Sequence, residues 1–465
     1  MPRFLHRVRH LAWPLLLALA AALPVQAQNG APSRYQAQPY SSVVHPEWSR
    51  HASIYQLNTR QFTAEGTLRS AEKQLPRLKA LGVGIVWLMP IHPIGKQQRK
   101  GELGSPYAVQ DYYAVNPELG TMADFKQFVA TAHKLGLYVI LDWVANHTAW
   151  DNAMRKDHPD WYLKDRKGQP RPTPWFDWED IIELDYSSPG LRAYMTDAMR
   201  FWVEQAGVDG YRCDAAGFVP LDFWDNAAAE LRAIKPVFLL AEWESRDLHA
   251  RAFDATYAWS WFDAVRAIAD GKADATSLYS YYAWNDKFYA KGAYRLMGVT
   301  NHDKNSWEGT EHEMFGPALE AMIAFSVISE GIPMIYNGQE AGNQKRLKFF
   351  ERDPIVWKAS PYEALYRQLF ALKNTNTALW NGSFGAPMEQ VVNSAPKQVF
   401  SFMRQNTKDK VFAVFNLSAK PVQVTFPDTL QRGRYRELGS GAMVEYGEAG
   451  SLQLAPWAYK VYLRP

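Results

Sequence analysis

Short apolar runs alternate with stretches of helical spacing along most of the chain. Eight runs, at 53–58, 84–90, 137–142, 208–214, 236–242, 255–260, 294–301 and 332–337, read as buried strands. Between them, the spacing predicts helices over 67–81, where Leu68, Leu75, Leu78 and Leu81 recur, and over 124–135, 223–234 and 320–329. Eight alternating β/α units predict an α/β fold, a closed parallel (β/α)8 TIM barrel.

Two stretches depart from this rhythm. Residues 148–183 are weakly periodic and rich in Pro, Trp and Asp. They read as an insertion after the third strand, lying over the barrel mouth, where barrels place specificity. Beyond residue 380, short alternating strands with Gly, Pro and Asn turns predict an antiparallel β-sandwich over 381–465, with the barrel at 48–380.

The N-terminus carries Arg3, Arg7 and Arg9, an apolar stretch over 11–23 and then Val25-Gln26-Ala27. This is the pattern of a signal peptide over 1–27, which predicts export to the periplasm or the medium. The apolar stretch is shorter than the roughly 20 residues that span a bilayer, so no membrane span is expected in the mature chain. Residues 28–47 are polar and read as a leader or linker.

Net charge is 51 − 48 = +3 over 465 residues. Removing three signal arginines and no acids leaves 51 − 3 − 48 = 0, which argues against a nucleic-acid surface. Cys213 is the single cysteine, so no intramolecular disulfide forms. Beside Asp214 in a strand, it reads as a buried structural thiol. There are 18 Trp. Those in polar segments (Trp150, Trp161, Trp175 and Trp178) suit either sugar stacking or ordinary packing.

Acidic residues mark the strand ends. Asp214 closes GVDGYRCD, Glu242 follows VFLLA, and Asp303 sits in TNHDKN. Glycoside hydrolysis needs two carboxyls across the scissile bond. Arg212 shares a strand face with Asp214 and would keep it ionised, as suits a nucleophile. Glu242, beside Trp243, suits an acid/base whose pKa is raised by partial burial. Asp303 would be a third carboxylate, stabilising positive charge on a distorted sugar. His147 and His302 can donate to sugar hydroxyls, and Tyr107 can stack under the ring. Asp142, at the end of the third strand, reads as a brace for Arg212 or a nearby loop.

Taken together, DWVANH, GYRCD, AEWE and NHD resemble the motifs of the α-amylase family of retaining α-glucan-active enzymes, in the same order over roughly 50–460. The resemblance implies Asp214 as nucleophile, Glu242 as acid/base and Asp303 as transition-state stabiliser, with substrate roles for Tyr107, His147, Arg212 and His302. It implies cleavage of α-1,4 bonds in starch, glycogen or maltooligosaccharides, with Asp214 and Glu242 about 5–5.5 Å apart. The same residues would serve a transglycosylase, an exo-acting glucosidase or a maltogenic enzyme; a glucan-binding protein without turnover is the remaining alternative.

No cofactor is needed for this chemistry. Many family members hold a structural calcium between barrel and insertion, for which Asn146 and Glu183 are the candidates here. Where many members carry Lys-His after the nucleophile, this chain has Gly217-Phe218. Endo or exo action would be set by loops 92–106, 148–183 and 304–316.

Overall fold

The eight apolar runs pair in sequence order and close into a barrel. Its strands are Ile54–Leu57 (β1), Ile85–Leu88 (β2), Tyr138–Val144 (β3), Gly210–Asp214 (β4), Phe238–Ala241 (β5), Ala255–Tyr257 (β6), Tyr294–Met297 (β7) and Ile332–Tyr336 (β8). Every neighbouring pair is parallel, including β1 with β8. This computed structural model describes residues 35–427, 429–447 and 450–465. The stretch 1–27 read as a signal peptide lies outside them. Tyr40–Pro465 forms one unit; of Met1–Pro39, the described residues 35–39 form a turn and a short irregular stretch.

Strand periodicity decides what fills the barrel. Alternate residues face inward. Ile54, Ile85, Ile140, Phe238, Leu240, Tyr294 and Ile332 belong to one buried interior cluster. The positions between them, such as Val86, Val139, Leu141, Tyr211 and Cys213, pack in the larger core with the helices. Cys213 is therefore a buried thiol on the outer face of β4.

Continuing the inward series toward the strand ends gives Gln56, Trp87, Asp142, Arg212, Asp214 and Glu242. Register brings them level. Asp142 pairs with Arg212 across β3 and β4, and Cys213 pairs with Ala241 across β4 and β5. One residue on, Asp214 and Glu242 follow at the same rim of adjacent strands.

Some helices differ from the expected pattern. The helix expected over 67–81 is two, Leu68–Glu72 and Leu75–Leu81. Pro76 lacks an N–H and its ring crowds the carbonyl four residues back, so the helix restarts there. The strand expected over 255–260 ends at Tyr257, and Trp259–Ala269 is helix. Helices Pro189–Ala206, Thr276–Phe288 and Pro361–Thr375 complete the outer ring. The first buries Leu191, Met195, Met199 and Trp202 at helical spacing and stops at Gly207, φ 75°.

The insertion begins with a two-stranded antiparallel ribbon, His147–Ala149 on Ile181–Glu183, rooted at the end of β3. Residues 40–46, within the stretch read as leader, are tied to the barrel: His45 bonds Asp254 at 2.8 Å and the Gly292 carbonyl at 2.9 Å.

The C-terminal strands form an antiparallel six-stranded sheet and a two-stranded one, Val422–Thr425 with Ser451–Leu454. Phe412, Val424, Phe426, Tyr446 and Leu454 pack between them in one core, which makes a sandwich. Arg404, fully buried, donates to the carbonyls of Ala386, Ser329 and Trp380. Among the described residues no helix is long and apolar enough to cross a membrane.

Candidate active site

Arg212 organises the mouth of the barrel. Its side chain is completely buried. Nη1 donates to Asp142 Oδ1 at 2.7 Å and to Asp214 Oδ1 at 2.9 Å. Nη2 lies 2.7 Å from Glu242 Oε1, a close ion pair that is not aligned as a hydrogen bond. The guanidinium also lies over Trp87, 5.0 Å from the ring, and Nε donates to the Tyr257 hydroxyl at 3.3 Å. One cation thus gathers three carboxylates at a rim where like charges would otherwise repel.

Asp142 is the brace. Besides Arg212, it accepts from Trp87 Nε1 and from the Tyr107 hydroxyl, both at 3.0 Å. Its side chain has no exposed surface, so it holds other groups and does not reach the cleft.

The two carboxyls facing the cleft are tuned differently. Burial pushes Glu242 up to about 8, with Asp214 and Asp303 adding repulsion and Arg212 opposing. Burial raises Asp214 to about 6, again against the pull of Arg212. Near neutrality one is a proton donor and the other an anion, which is the division of labour that an acid and a nucleophile require.

Glu242 has a further anchor. The chain after Asp214 turns through the left-handed region at Ala215, φ 42° and ψ 42°. That turn aims the Ala215 N–H at Glu242 Oε2, at 2.7 Å.

A second network fixes the histidines. Gln56 Oε1 accepts from the His302 backbone N–H at 3.3 Å, and its Nε2 donates to His302 Nδ1 at 2.7 Å. The ring proton therefore sits on Nε2, 2.8 Å from the Tyr107 hydroxyl oxygen and 3.2 Å from Asp303 Oδ2. Tyr107 and His302 stack with centroids 5.4 Å apart. Burial lowers His147 and His302 to about 4, so both rings are neutral at ordinary pH. Asp303 is the most open of the three acids.

These residues line a cleft of about 840 Å³. It gathers every residue expected to touch substrate except Arg212, which acts from behind the carboxylates. Its walls are aromatic. On the Glu242 side, Trp178 stacks on Phe176 at 4.3 Å, Phe176 meets Phe218 at 5.8 Å, and Phe218 meets Trp243 at 5.0 Å. On the Tyr107 side stand Trp307, Phe349 and Phe350. The sequence reading named Trp178, Trp243 and, as a departure after the nucleophile, Phe218, but neither Phe176 nor the 349–350 pair. Gln56 was also missed, although a glutamine inside the apolar run SIYQLN was the available signal. Of the other polar-segment tryptophans, Trp161 is buried, Trp150 donates to the Glu179 carbonyl at 2.8 Å, and Trp175 is fully exposed.

The calcium candidates have protein neighbours, although Glu183 Oε2 is buried without a hydrogen-bond partner. Asn146 donates to His147 Nδ1 at 3.2 Å and to Thr173 Oγ1 at 3.3 Å. Glu183 lies 3.4 Å from Arg171 Nη2. A hard cation wants six or more oxygens. A guanidinium already faces this carboxylate, and no group of three or more His, Cys, Asp or Glu gathers as a metal site among the described residues. Asn146 and Glu183 by themselves do not supply the oxygens that calcium wants.

Residues 50–410 match the family described as alpha amylase, catalytic domain. The chain belongs to the α-amylase family. Residues 389–461 match the maltogenic amylase C-terminal domain. As a member of this family the chain is a glycoside hydrolase in class, with α-glucans as the family's substrates. It is 24% identical to Alpha-amylase 2 of Dictyoglomus thermophilum, over 90% of this chain and 77% of that one. It is 30% identical to an alpha-1,4-glucan:maltose-1-phosphate maltosyltransferase of Myxococcus xanthus, covering 60% of this chain and 44% of the other. Among solved structures, a noncanonic maltogenic alpha-amylase, AmyB of Thermotoga neapolitana, is 31% identical with a TM-score of 0.81, covering 89% of this chain and 98% of that one. An α-amylase family barrel thus accounts for both the closed sheet and the acid-lined mouth.

Proposed function

We propose that this α-amylase family member is an exported enzyme that cleaves α-1,4-glucosidic bonds in starch, glycogen or maltooligosaccharides with retention at the anomeric carbon. The observation that carries this reading is the shared guanidinium: Asp214 and Glu242 both contact Arg212, at 2.9 and 2.7 Å, at one rim of the cleft. Two carboxyls held this closely suit double displacement.

Asp214 attacks the anomeric carbon while Glu242 gives its proton to the departing oxygen, leaving a glycosyl ester on Asp214. Glu242, now ionised, takes a proton from water as that water attacks the anomeric carbon, and the bond to Asp214 breaks to release its carboxylate. Asp303 stabilises the developing positive charge. His147 and His302, both neutral, supply N–H donors to hydroxyls, and Tyr107 lies under the ring. Export rests on the N-terminal pattern of Arg3, Arg7 and Arg9 before the apolar stretch.

The test is turnover of maltoheptaose by Asp214→Asn and Glu242→Gln, with folding checked by circular dichroism. Each variant loses at least about 1,000-fold in kcat. Folded variants that keep a tenth or more of the activity would overturn the assignment.

A second reading, transfer to a sugar acceptor, draws on the aromatic wall beside Glu242 and on the maltosyltransferase relatives. Maltotriose decides between them: products longer than the substrate mean transfer, shorter ones alone mean hydrolysis.

A further inference from the structure

Three loops stand over the barrel mouth, and contacts join them into one wall. The middle one, 92–106, follows β2. On one side it meets the insertion. Lys100 Nζ pairs with Asp177 Oδ1 at 3.1 Å and lies 3.9 Å from Asp180 Oδ1. The Lys96 N–H donates to Asp151 Oδ2 at 2.9 Å. Gly95 passes so close that a Cβ there would sit 2.2 Å from the Cβ of Ala149.

On its other side the loop is bonded to the segment after β8. The Leu103 N–H donates to the Phe350 carbonyl at 3.2 Å, and the Glu102 N–H to Glu351 Oε1 at 2.8 Å. Gly101, φ 64°, fits only as glycine: a Cβ there would lie 2.5 Å from the Cβ of Phe350. Insertion, middle loop and β8 loop are therefore continuous.

The chemistry says which end of the cleft this wall closes. Glu242 protonates the departing oxygen, so Trp243 and Phe218 beside it mark the leaving-group side. Tyr107 and His302 flank the sugar that stays on Asp214. Phe349, in the wall, stacks against both, 6.1 Å from Tyr107 and 6.2 Å from His302. Trp307 and Phe350 pack on Phe349 at 5.4 and 5.2 Å and line the cleft with it. The middle loop and the β8 loop thus back the retained sugar, and the insertion carries the wall round from Lys100 to Phe176 and Phe218 beside Glu242. In an α-1,4-glucan the chain beyond the retained sugar runs toward the non-reducing end.

The geometry points to an exo mode of action: the joined loops end the cleft on its non-reducing side, so a glucan enters end first and loses one short saccharide at each encounter. Lys100 and its partners Asp177 and Asp180 are specificity-determining residues, because they join the middle loop to the insertion. This proposal rests on the α-1,4-glucan hydrolase reading and adds where on the chain the cut falls.

The test compares p-nitrophenyl maltoheptaoside with a free non-reducing end against the same compound capped there by a 4,6-O-ethylidene group. Products are resolved by chromatography. The free substrate is shortened by a constant step, and the capped one is cleaved about 100-fold more slowly, since the cap meets the wall. Lys100→Ala with Asp177→Ala, checked for folding by circular dichroism, raises the capped-to-free ratio toward one. Equal rates on both substrates in the unaltered enzyme, with mixed internal cuts, overturn the proposal. A folded double variant with an unchanged ratio overturns the part given to Lys100. Cleavage of neither substrate overturns the α-glucan reading itself, and the proposal with it.

Discussion

The backbone N–H of Ala215 donates to Glu242 Oε2 at 2.7 Å, so the residue after one proposed catalytic carboxyl holds the other. Ala215 reaches this position only through a left-handed turn, φ 42°. Proline there would forbid that φ and remove the donor. Ala215→Pro is expected to lower kcat by at least about 100-fold. Ala215→Gly keeps the N–H and should leave kcat near the parent value. Its stability changes by less than about 1 kcal/mol, because relief of the left-handed turn and added chain freedom oppose each other. Steady-state kinetics and urea unfolding of both variants check this.

In the proposed mechanism the acid and the nucleophile bound the working pH. Asp214, raised to about 6, must be ionised, and Glu242, raised to about 8, must keep its proton. A profile of kcat/KM is expected to fall below about pH 6 and above about pH 8. A flat profile from pH 5 to 9 would contradict the assignment.

The same raised pKa has a consequence for stability. Glu242 ordinarily titrates at 4.5 and here at about 8. Between those values the folded chain keeps a proton that the unfolded chain has lost, so this group's contribution weakens as pH rises through that window. Glu242→Gln removes the effect. Its melting temperature should exceed the parent's by a margin that opens from pH 5 to pH 8 and then levels. The difference is on the order of a few kcal/mol at most. Scanning calorimetry across that range reads it directly.

Gly217 is the floor on which Trp243 rests. A Cβ there would lie 2.1 Å from Trp243 Cε2, although the backbone itself would accept alanine. Gly217→Ala must therefore displace Trp243 from the wall beside Glu242. A loss of about tenfold in kcat/KM on maltoheptaose is expected, with far-ultraviolet circular dichroism unchanged. An unaltered kcat/KM would mean that Trp243 does not shape this side of the cleft.

Arg171 faces Glu183 where a calcium ligand was expected. Dialysis against a chelator is accordingly expected to leave the melting temperature unchanged. A drop of more than about 2 °C, restored by calcium and matched by stoichiometric calcium in elemental analysis, would overturn this. Arg171→Ala should lower stability by about 1 kcal/mol or less, because the pair is partly exposed.

The sequence by itself determined the barrel and its acids. Apolar runs of strand length, separated by helical spacing, have few ways to bury both faces other than a closed parallel sheet. Residue parity then placed Arg212 and Asp214 on one face, and strand ends placed Glu242 and Asp303 at the rim. What lay beyond reach depended on register and on loops meeting in space. That Cys213 pairs with Ala241, setting Asp214 beside Glu242, is a property of neighbouring strands and of neither segment alone. Gln56 orients His302 across 246 residues of chain. Lys100 and Phe350 become parts of one wall because two distant loops share the barrel mouth. Local patterning encodes which face a residue takes; only closure of the barrel decides which residues then touch, because those contacts join segments whose sequences carry no mark of one another.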